Sequence, residues 1–466
     1  MQSSYYANIV WQDGMPINCT YQDRYFSSIS ATGESEYVFL RHNDLAKRFA
    51  GLQNGDTFVI AEIGFGAGIN FLMTLNLWRR TVTSTARLFY LSFEKYPIHP
   101  SDLKKILANF PELADVSSEF LTQYYLLLPT THRMHFVNQV YLNLIIGDAV
   151  TTIKSHDFYA DAWFLDGFDP QKNCELWSEE VIKAIAKRSY HDMAIQKWTT
   201  FATYSASSLV RKLLTTNVFV VKRDKGFHKR EMLYGHKEDT ISSPNKIVSS
   251  GLVSKDLAKT RIGEGRITRW FDRCYNHNPT KKVLVIGGGI SGASTSYALS
   301  KRGYQVTLYE KNSTLAQEAS GNYQGILYGS FFGSHNPMLE LSLAGMKYSH
   351  YLINCLLENN INLTSQNLTC QYFANCGLVM LAHNKRQEKQ HDNFLKNSNL
   401  PEDFLVKVSK AEIAKLAGIP VNVASGLYLE SGLWLCPQML VQKLAKRHGV
   451  IIKLNSNFLF LRYLAL

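Results

Sequence analysis

No CxxC pair occurs anywhere in the chain; its seven cysteines, at 19, 174, 274, 355, 370, 376 and 436, are scattered. Their spacing fits reduced thiols better than a disulfide framework or a zinc site. His132 and His135 have no neighbouring Cys or carboxylate, and are expected at the surface with no metal. An uninterrupted apolar run is also missing. The nearest, FVIAEIGFGAGINFLMTLNLW (58–78), is broken by Glu62, Asn70, Asn76 and three glycines, which would make it costly in a bilayer. The start, MQSSYYANIVWQDG, has neither a basic n-region nor an apolar h-region, so no secretory signal and a cytoplasmic location are expected. Internal repeats and low-complexity tracts are absent too.

What is present is a chain of 466 residues, 45% hydrophobic, enough for several ordinary cores at roughly 150 residues per domain. The net charge of +12 points to a polyanionic partner. Locally, VKRDKGFHKR (221–230) sets five Lys or Arg against one Asp, with an aromatic interleaved. Lys229 and Arg230 are its candidate phosphate contacts, beside the plainer reading of a solvated loop.

From Thr57 strand-like runs alternate with helix-like stretches: TFVIAEIG, RLFYLSFEK, LNLIIGDA, DAWFLDGF and DMAIQKWTT, then NVFVVKRDKG and REMLYG. That alternation predicts an α/β fold with a largely parallel sheet. The last two runs leave no room for a helix and predict an antiparallel hairpin at one sheet edge, the arrangement of a class I methyltransferase. Residues 237–280 are polar and punctuated by Ser, Asn, Pro and Gly, and read as a linker between domains at 1–236 and 281–466.

AEIGFGAGIN (61–70) follows a strand and opens a helix, with Gly64, Gly66 and Gly68 after Glu62. Glycines there let the backbone approach a ligand, although a tight turn alone also needs them. Glu94, Asp148 and Asp166 end the next three strands. Ligands in open α/β sheets bind at the carboxyl ends of strands, so these acids converge on one crevice. Four acidic strand ends, counting Glu62, suit a cationic cofactor with a free ribose, S-adenosylmethionine, and suit a pyrophosphate poorly. Asp166 is the candidate catalytic residue: a carboxylate there can hold an amine N–H and take its proton. Capping of the turn DGFDP is its structural alternative.

A second glycine turn lies in KKVLVIGGGISGASTSYALSKRGYQVTLYEK (281–311), where Gly287, Gly289 and Gly292 form GxGxxG and Glu310 closes the second strand. Strand, glycines, helix, strand and acid predict an ADP moiety, with its pyrophosphate at the helix N-terminus and its ribose on the acid. EASGNYQGILY (318–328) resembles the segment lying along the cofactor in amine-oxidising flavoproteins. It favours FAD, with Ser320, Gly321, Asn322 and Gly325 as candidate contacts or simply turn residues.

Taken in order, EIGFGAGINFL, FEKYP, DAWFLDGFDPQKNCELW, TFATYSASSLVRKLL, KGFHKREML and the flavin motif resemble the bifunctional bacterial tRNA 5-methylaminomethyl-2-thiouridine biosynthesis proteins; YQDRYFS and ESEYVFL fit the same family upstream. The resemblance implies a class I methyltransferase Rossmann-like domain followed by an FAD-binding, amine-oxidase-like α+β domain. It implies FAD-dependent conversion of the 5-carboxymethylaminomethyl group on the tRNA wobble uridine to 5-aminomethyl, then methylation of that amine with S-adenosylmethionine. Glu62, Gly64, Gly66, Gly68, Glu94 and Asp148 would line the methyl donor, Asp166 would meet the amine, and KRDKGFHKR would meet the anticodon stem-loop. Ala67, Ile69, Asp169 and Cys174 depart from the family pattern, and a carboxylate at 169 is expected to raise the pKa of Asp166. The sequence behind the second fingerprint is about half of what the family's flavin domain uses. The expectation is therefore a shortened oxidoreductase domain, with methylation retained and oxidation weak. A methyltransferase with a non-functional flavin domain, a small-molecule amine oxidase fused to a methyltransferase, and an RNA-binding remnant are the competing readings.

Overall fold

The computed structural model describes residues 5–193, 196–228, 231–238, 281–329, 331, 336–357 and 372–457. The chain divides into two compact units, Met1–Asp272 and Arg273–Leu466. Most of the expected linker, residues 239–280, lies outside the described residues, as do Lys229 and Arg230.

The first unit opens with a small antiparallel meander, β1 (Ile9–Gln12), β2 (Met15–Asn18) and β3 (Asp23–Arg24). A short helix, Ala31–Glu34, then runs into a π-helical segment, Ser35–Arg41. The strands that follow are β4 (Thr57–Ile63), β5 (Arg87–Glu94), β6 (Thr131–Phe136), β7 (Val140–Ile146), β8 (Ala162–Leu165), β9 (His191–Asp192), β10 (Lys197–Trp198), β11 (Thr200–Thr203), β12 (Phe219–Asp224) and β13 (Met232–Lys237). Eight of them form one sheet in the order β12-β13-β11-β8-β4-β5-β7-β6. Its centre is parallel, whereas β13 runs antiparallel to both β11 and β12. The hairpin expected from NVFVVKRDKG and REMLYG is thus present, with β12 on the edge and β13 inserted beside β11.

Two expectations are corrected. DMAIQKWTT does not supply a sheet strand along its length; it forms the two-residue ladder of β9 with β10, and the sheet strand begins at Thr200. A four-residue strand suffices there because β8 and β13 pair with it on either side and bury Phe201 and Ala202 completely. His132 is not at the surface: β6, not foreseen, adds an antiparallel edge next to β7, and side-chain alternation along it turns His132, Met134 and Phe136 inward. The His132 ring meets the backbone of Leu128 at 2.8 Å.

Alternation also splits the core in two. Phe58, Ile60, Leu88 and Tyr90 face one layer, packed with Phe71, Leu75 and Trp78 of the helix Ile69–Thr81. Val59, Ala61, Ile63 and Trp163 face the other, packed with the helices Glu179–Lys187 and Ser208–Thr216. By the same parity Glu62 on β4 and Ser92 on β5 point into the first layer, where a carboxylate is an exception that needs partners.

The second unit contains the parallel pairings of β14 (Lys282–Ile286) with β15 (Gln305–Tyr309), and two antiparallel sheets built from β16 (Gly325–Leu327), β17 (Phe373–Ala374), β18 (Leu378–Ala382), β19 (Val406–Ser409), β20 (Ser425–Leu429) and β21 (Leu433–Leu435). β22 (Ile451–Lys453) returns to pair in parallel with β15. The helix Ile290–Ser300 follows β14 directly and packs Ala293 and Tyr297 against Val306, Leu308 and Leu444. This is the strand, turn, helix and strand order read from the glycine fingerprint.

Candidate active site

The carboxyl ends of β4, β5, β7 and β8 open into a cavity of about 330 Å³. Gly64, Gly66, Glu94, Asp148 and Asp166 all lie on its wall, so the crevice expected from the strand ends is formed by those residues. Part of its wall comes from far away in sequence: the segment from Asn18 to Phe39 contributes Tyr21 and Tyr25. Tyr21 stacks on Phe168 with ring centroids 5.0 Å apart, and Tyr25 meets the same ring edge-on at 5.3 Å. Aromatic faces therefore stand beside Asp166. Lys95 pairs with Glu175 at 2.8 Å on the rim, but with side-chain exposures of 38% and 77% the pair contributes at most about 1 kcal/mol.

The glycine turn is held by close approach. Gly64 has φ +83°, and a Cβ there would stand 2.2 Å from the carbonyl oxygen of Asp166. Only glycine lets the ends of β4 and β8 come this near. The Gly66 N–H donates to Glu94 Oε2 at 3.1 Å and the Tyr96 N–H to Oε1 at 2.9 Å, so Glu94 is fixed with a face toward the cavity. Burial pushes the Glu94 carboxyl above its ordinary range, against the pull of those N–H donors. Asp148 caps the helix Ala149–Ser155 through the Thr151 N–H at 3.0 Å. Asp169, one of the departures, accepts from the Gln171 N–H at 2.8 Å within its own turn.

Glu62 does not stand on the cavity wall. It is fully buried behind it, accepting from Ser92 Oγ at 2.7 Å and Asn70 Nδ2 at 3.0 Å. The same Asn70 Nδ2 donates to Asp166 Oδ2 at 2.8 Å. Burial first, and the Asp166 charge after it, push the Glu62 carboxyl up to about 8. At neutral pH it is mostly protonated, so it adds little to the negative charge facing a cation. Its pKa is raised on folding, so its stabilising contribution is full below the unfolded value of 4.5 and is lost as pH rises toward 8. Glu62→Gln is accordingly expected to gain melting temperature relative to the parent at pH 8.5 and not at pH 5, measured by calorimetry at both values. A constant difference would show that Glu62 ionises normally.

In the second unit, Gly287 has φ +99° and open space within 4 Å of where a Cβ would stand, while a Cβ on Gly292 would lie 1.9 Å from the Gly287 oxygen. The helix Ile290–Ser300 is thereby pressed onto the turn. Gly289 is its N-cap residue, and Ser320 Oγ accepts from the Ile290 N–H at 3.0 Å. Glu310 accepts from the N–H groups of Gly288 at 2.6 Å and Asn312 at 2.9 Å, which sets the acid against the turn as the fingerprint requires. Gly321 and Asn322 follow Ser320 in a short 3₁₀ turn and its cap, and Gly325 opens β16.

Residues 111–238 match the family model for S-adenosyl-L-methionine-dependent methyltransferases, and residues 282–462 match that for FAD dependent oxidoreductases. Over 98% of its length the chain is 35% identical to the tRNA 5-methylaminomethyl-2-thiouridine biosynthesis bifunctional protein MnmC of Chromobacterium violaceum. It is 34% identical, over 97% of its length, to the protein of the same name from Hahella chejuensis. Over nearly its whole length the chain is similar to this bifunctional family. It spans 64% and 65% of the length of those two relatives. Among solved structures, MNMC2 from Aquifex aeolicus matches at 25% identity with a TM-score of 0.38, covering 51% of this chain and 72% of that one.

Set beside the family motifs, the site contains residues to which sequence reasoning gave no role. Asn70 is the main one; its signal was a polar residue in the first turn of a helix whose neighbours Ile69, Phe71 and Leu72 are all buried. Phe227, the aromatic within the basic stretch, is an anchor: its ring lies over Gly33, where a Cβ would be 2.7 Å away, and against Tyr37. The Tyr37 hydroxyl donates to the Lys225 carbonyl at 2.9 Å, so the π-helical segment holds the start of the basic loop.

Proposed function

We propose that the first unit methylates the amine of 5-aminomethyl-2-thiouridine at the tRNA wobble position, and that the second holds FAD for the preceding conversion of the 5-carboxymethylaminomethyl group to 5-aminomethyl. The observation that carries this reading is the placement of Asp166 in one cavity with the glycine turn and Glu94. S-adenosylmethionine, when bound, supplies a methyl group made electrophilic by its sulfonium. Gly64 and Gly66 allow close backbone approach, and Glu94 offers carboxylate oxygens suited to ribose hydroxyls. Asp166 holds an N–H of the substrate amine so that the nitrogen lone pair faces the methyl carbon. Once the amine nitrogen has accepted the methyl group, Asp166 would take the proton that the resulting ammonium sheds. Tyr21, Tyr25 and Phe168 offer stacking faces for a base turned out of the anticodon loop.

FAD, when bound, supplies the electron acceptor for oxidising a C–N bond. Gly287, Gly289 and the N-terminus of the helix Ile290–Ser300 would hold its pyrophosphate, and Glu310 its adenosine ribose. Ser320, Gly321, Asn322 and Gly325 would lie along it. A tRNA substrate implies a cytoplasmic setting; among the described residues no helix is long and apolar enough to cross a membrane.

Incubating the purified chain with S-adenosylmethionine and tRNA bearing 5-aminomethyl-2-thiouridine tests the first half, with nucleoside mass spectrometry as readout. The 5-methylaminomethyl product is expected, and its absence would refute the reading. The basic loop is tested by salt. Lys229 and Arg230 each contribute roughly 0.7 to 0.9 to the slope of log affinity against log salt if they meet phosphates. Replacing both with Gln should flatten that slope in filter-binding assays; an unchanged slope and affinity would return them to solvent.

A further inference from the structure

We infer that Asn70 is a positioning residue for Asp166: its side-chain amide ties the Asp166 carboxylate to the buried Glu62, so that the carboxylate is presented to the cavity in one orientation. This rests on the proposed role of Asp166. The geometry is specific. One nitrogen, Asn70 Nδ2, donates to Glu62 Oε1 at 3.0 Å and to Asp166 Oδ2 at 2.8 Å, and Ser92 Oγ holds the far Glu62 oxygen at 2.7 Å. The chain of contacts runs from β5 through β4 and the helix Ile69–Thr81 to the end of β8. Asn70 is 8% exposed and Glu62 and Ser92 are 0% exposed, so water does not compete for the bonds to Glu62, while the Asp166 end of the chain faces the cavity.

The backbone fixes Asn70 as firmly as its side chain does. Thr74 Oγ1 donates to the Asn70 carbonyl at 2.7 Å, and Asn70 lies in the first turn of a helix whose Phe71, Leu72 and Leu75 are fully buried. A carboxylate on a short side chain at a strand end can rotate about χ2. A donor held on a rigid helix removes that freedom before substrate arrives. Glu62 explains why the acid of the first glycine motif lies behind the wall: it seats Asn70. A protonated Glu62 also spares the site two adjacent negative charges sharing one amide.

The test uses the full chain, with S-adenosylmethionine and 5-aminomethyl-tRNA as substrates. Asn70→Ala should lower kcat about tenfold or more, since a small misplacement of a reacting group is enough for that, while the KM for the donor changes less than about twofold. In the Asp166→Asn background the same substitution should cost nothing further, because Asn70 acts through Asp166. If Asn70→Ala does not fold, Asn70→Ser fills more of the space with a hydroxyl too short to span both carboxyls, and should show the same kcat loss. A parental kcat in whichever variant folds, or a raised donor KM with unchanged kcat, overturns the inference. A slow Asp166→Asn beside parental Asn70 variants overturns it alone, whereas a parental Asp166→Asn removes the proposed role of Asp166 itself.

Discussion

Asp166→Asn is expected to lower the turnover of methyl transfer about a hundredfold or more, the scale on which a positioned acid or base acts. Asparagine keeps the shape of the side chain and an oxygen able to accept from Asn70 Nδ2, which lies 2.8 Å from the native carboxylate. What disappears is the charge and the ability to receive a proton. Donor binding should survive, because the glycine turn and Glu94 are untouched. Single-turnover methylation of 5-aminomethyl-tRNA, with donor affinity measured separately by calorimetry, distinguishes the two. A parental rate would mean that orientation by the rest of the cavity is sufficient and that Asp166 serves only its turn.

Gly64→Ala should remove donor binding. Two penalties add. The residue sits at φ +83°, which costs an L-residue roughly 1–2 kcal/mol, and its Cβ would lie 2.2 Å from a backbone oxygen, a collision that only separation of β4 from β8 relieves. Overpacking of that kind costs typically about 1–3 kcal/mol, and the backbone of Asp166 is what must move. At about 1.4 kcal/mol per tenfold, a sum of about 2–5 kcal/mol falling on the binding geometry corresponds to a loss of roughly thirtyfold to several thousandfold in donor affinity. Titration calorimetry with S-adenosylmethionine reads this directly, and circular dichroism shows whether the sheet persists. An unchanged affinity would mean that the donor does not approach this turn.

Much of the fold was legible because it rests on local patterns. The runs TFVIAEIG and RLFYLSFEK became β4 and β5, and the hairpin of β12 with β13 followed from two strand runs too close for a helix. In the second unit, Gly287, Gly292 and Glu310 prescribed strand, turn, helix and strand, since a Cβ at Gly292 would strike the Gly287 oxygen. Where local signals were equivocal, the reading failed. DMAIQKWTT has the apolar content of a strand, yet pairing with β8 and β13 selects Thr200–Thr203. THRMHF was not read as a strand, and pairing with β7 buries its alternate residues, His132 among them.

The site divides in the same way. Sequence by itself determined that Glu94, Asp148 and Asp166 end strands beside a glycine turn, because residue type and spacing suffice to put them at carboxyl ends of a parallel sheet. Only the tertiary structure decided that Glu62 stands behind the cavity, pushed up to about 8, rather than on its wall. Only it showed that Asn70 joins Glu62 to Asp166 and that Tyr21 and Tyr25 line the cavity, Tyr25 beside Gly66. The physical reason is range: strand, turn and helix signals act over a few residues, whereas desolvation, charge coupling and the closing of a cavity depend on which distant segments are packed against a side chain.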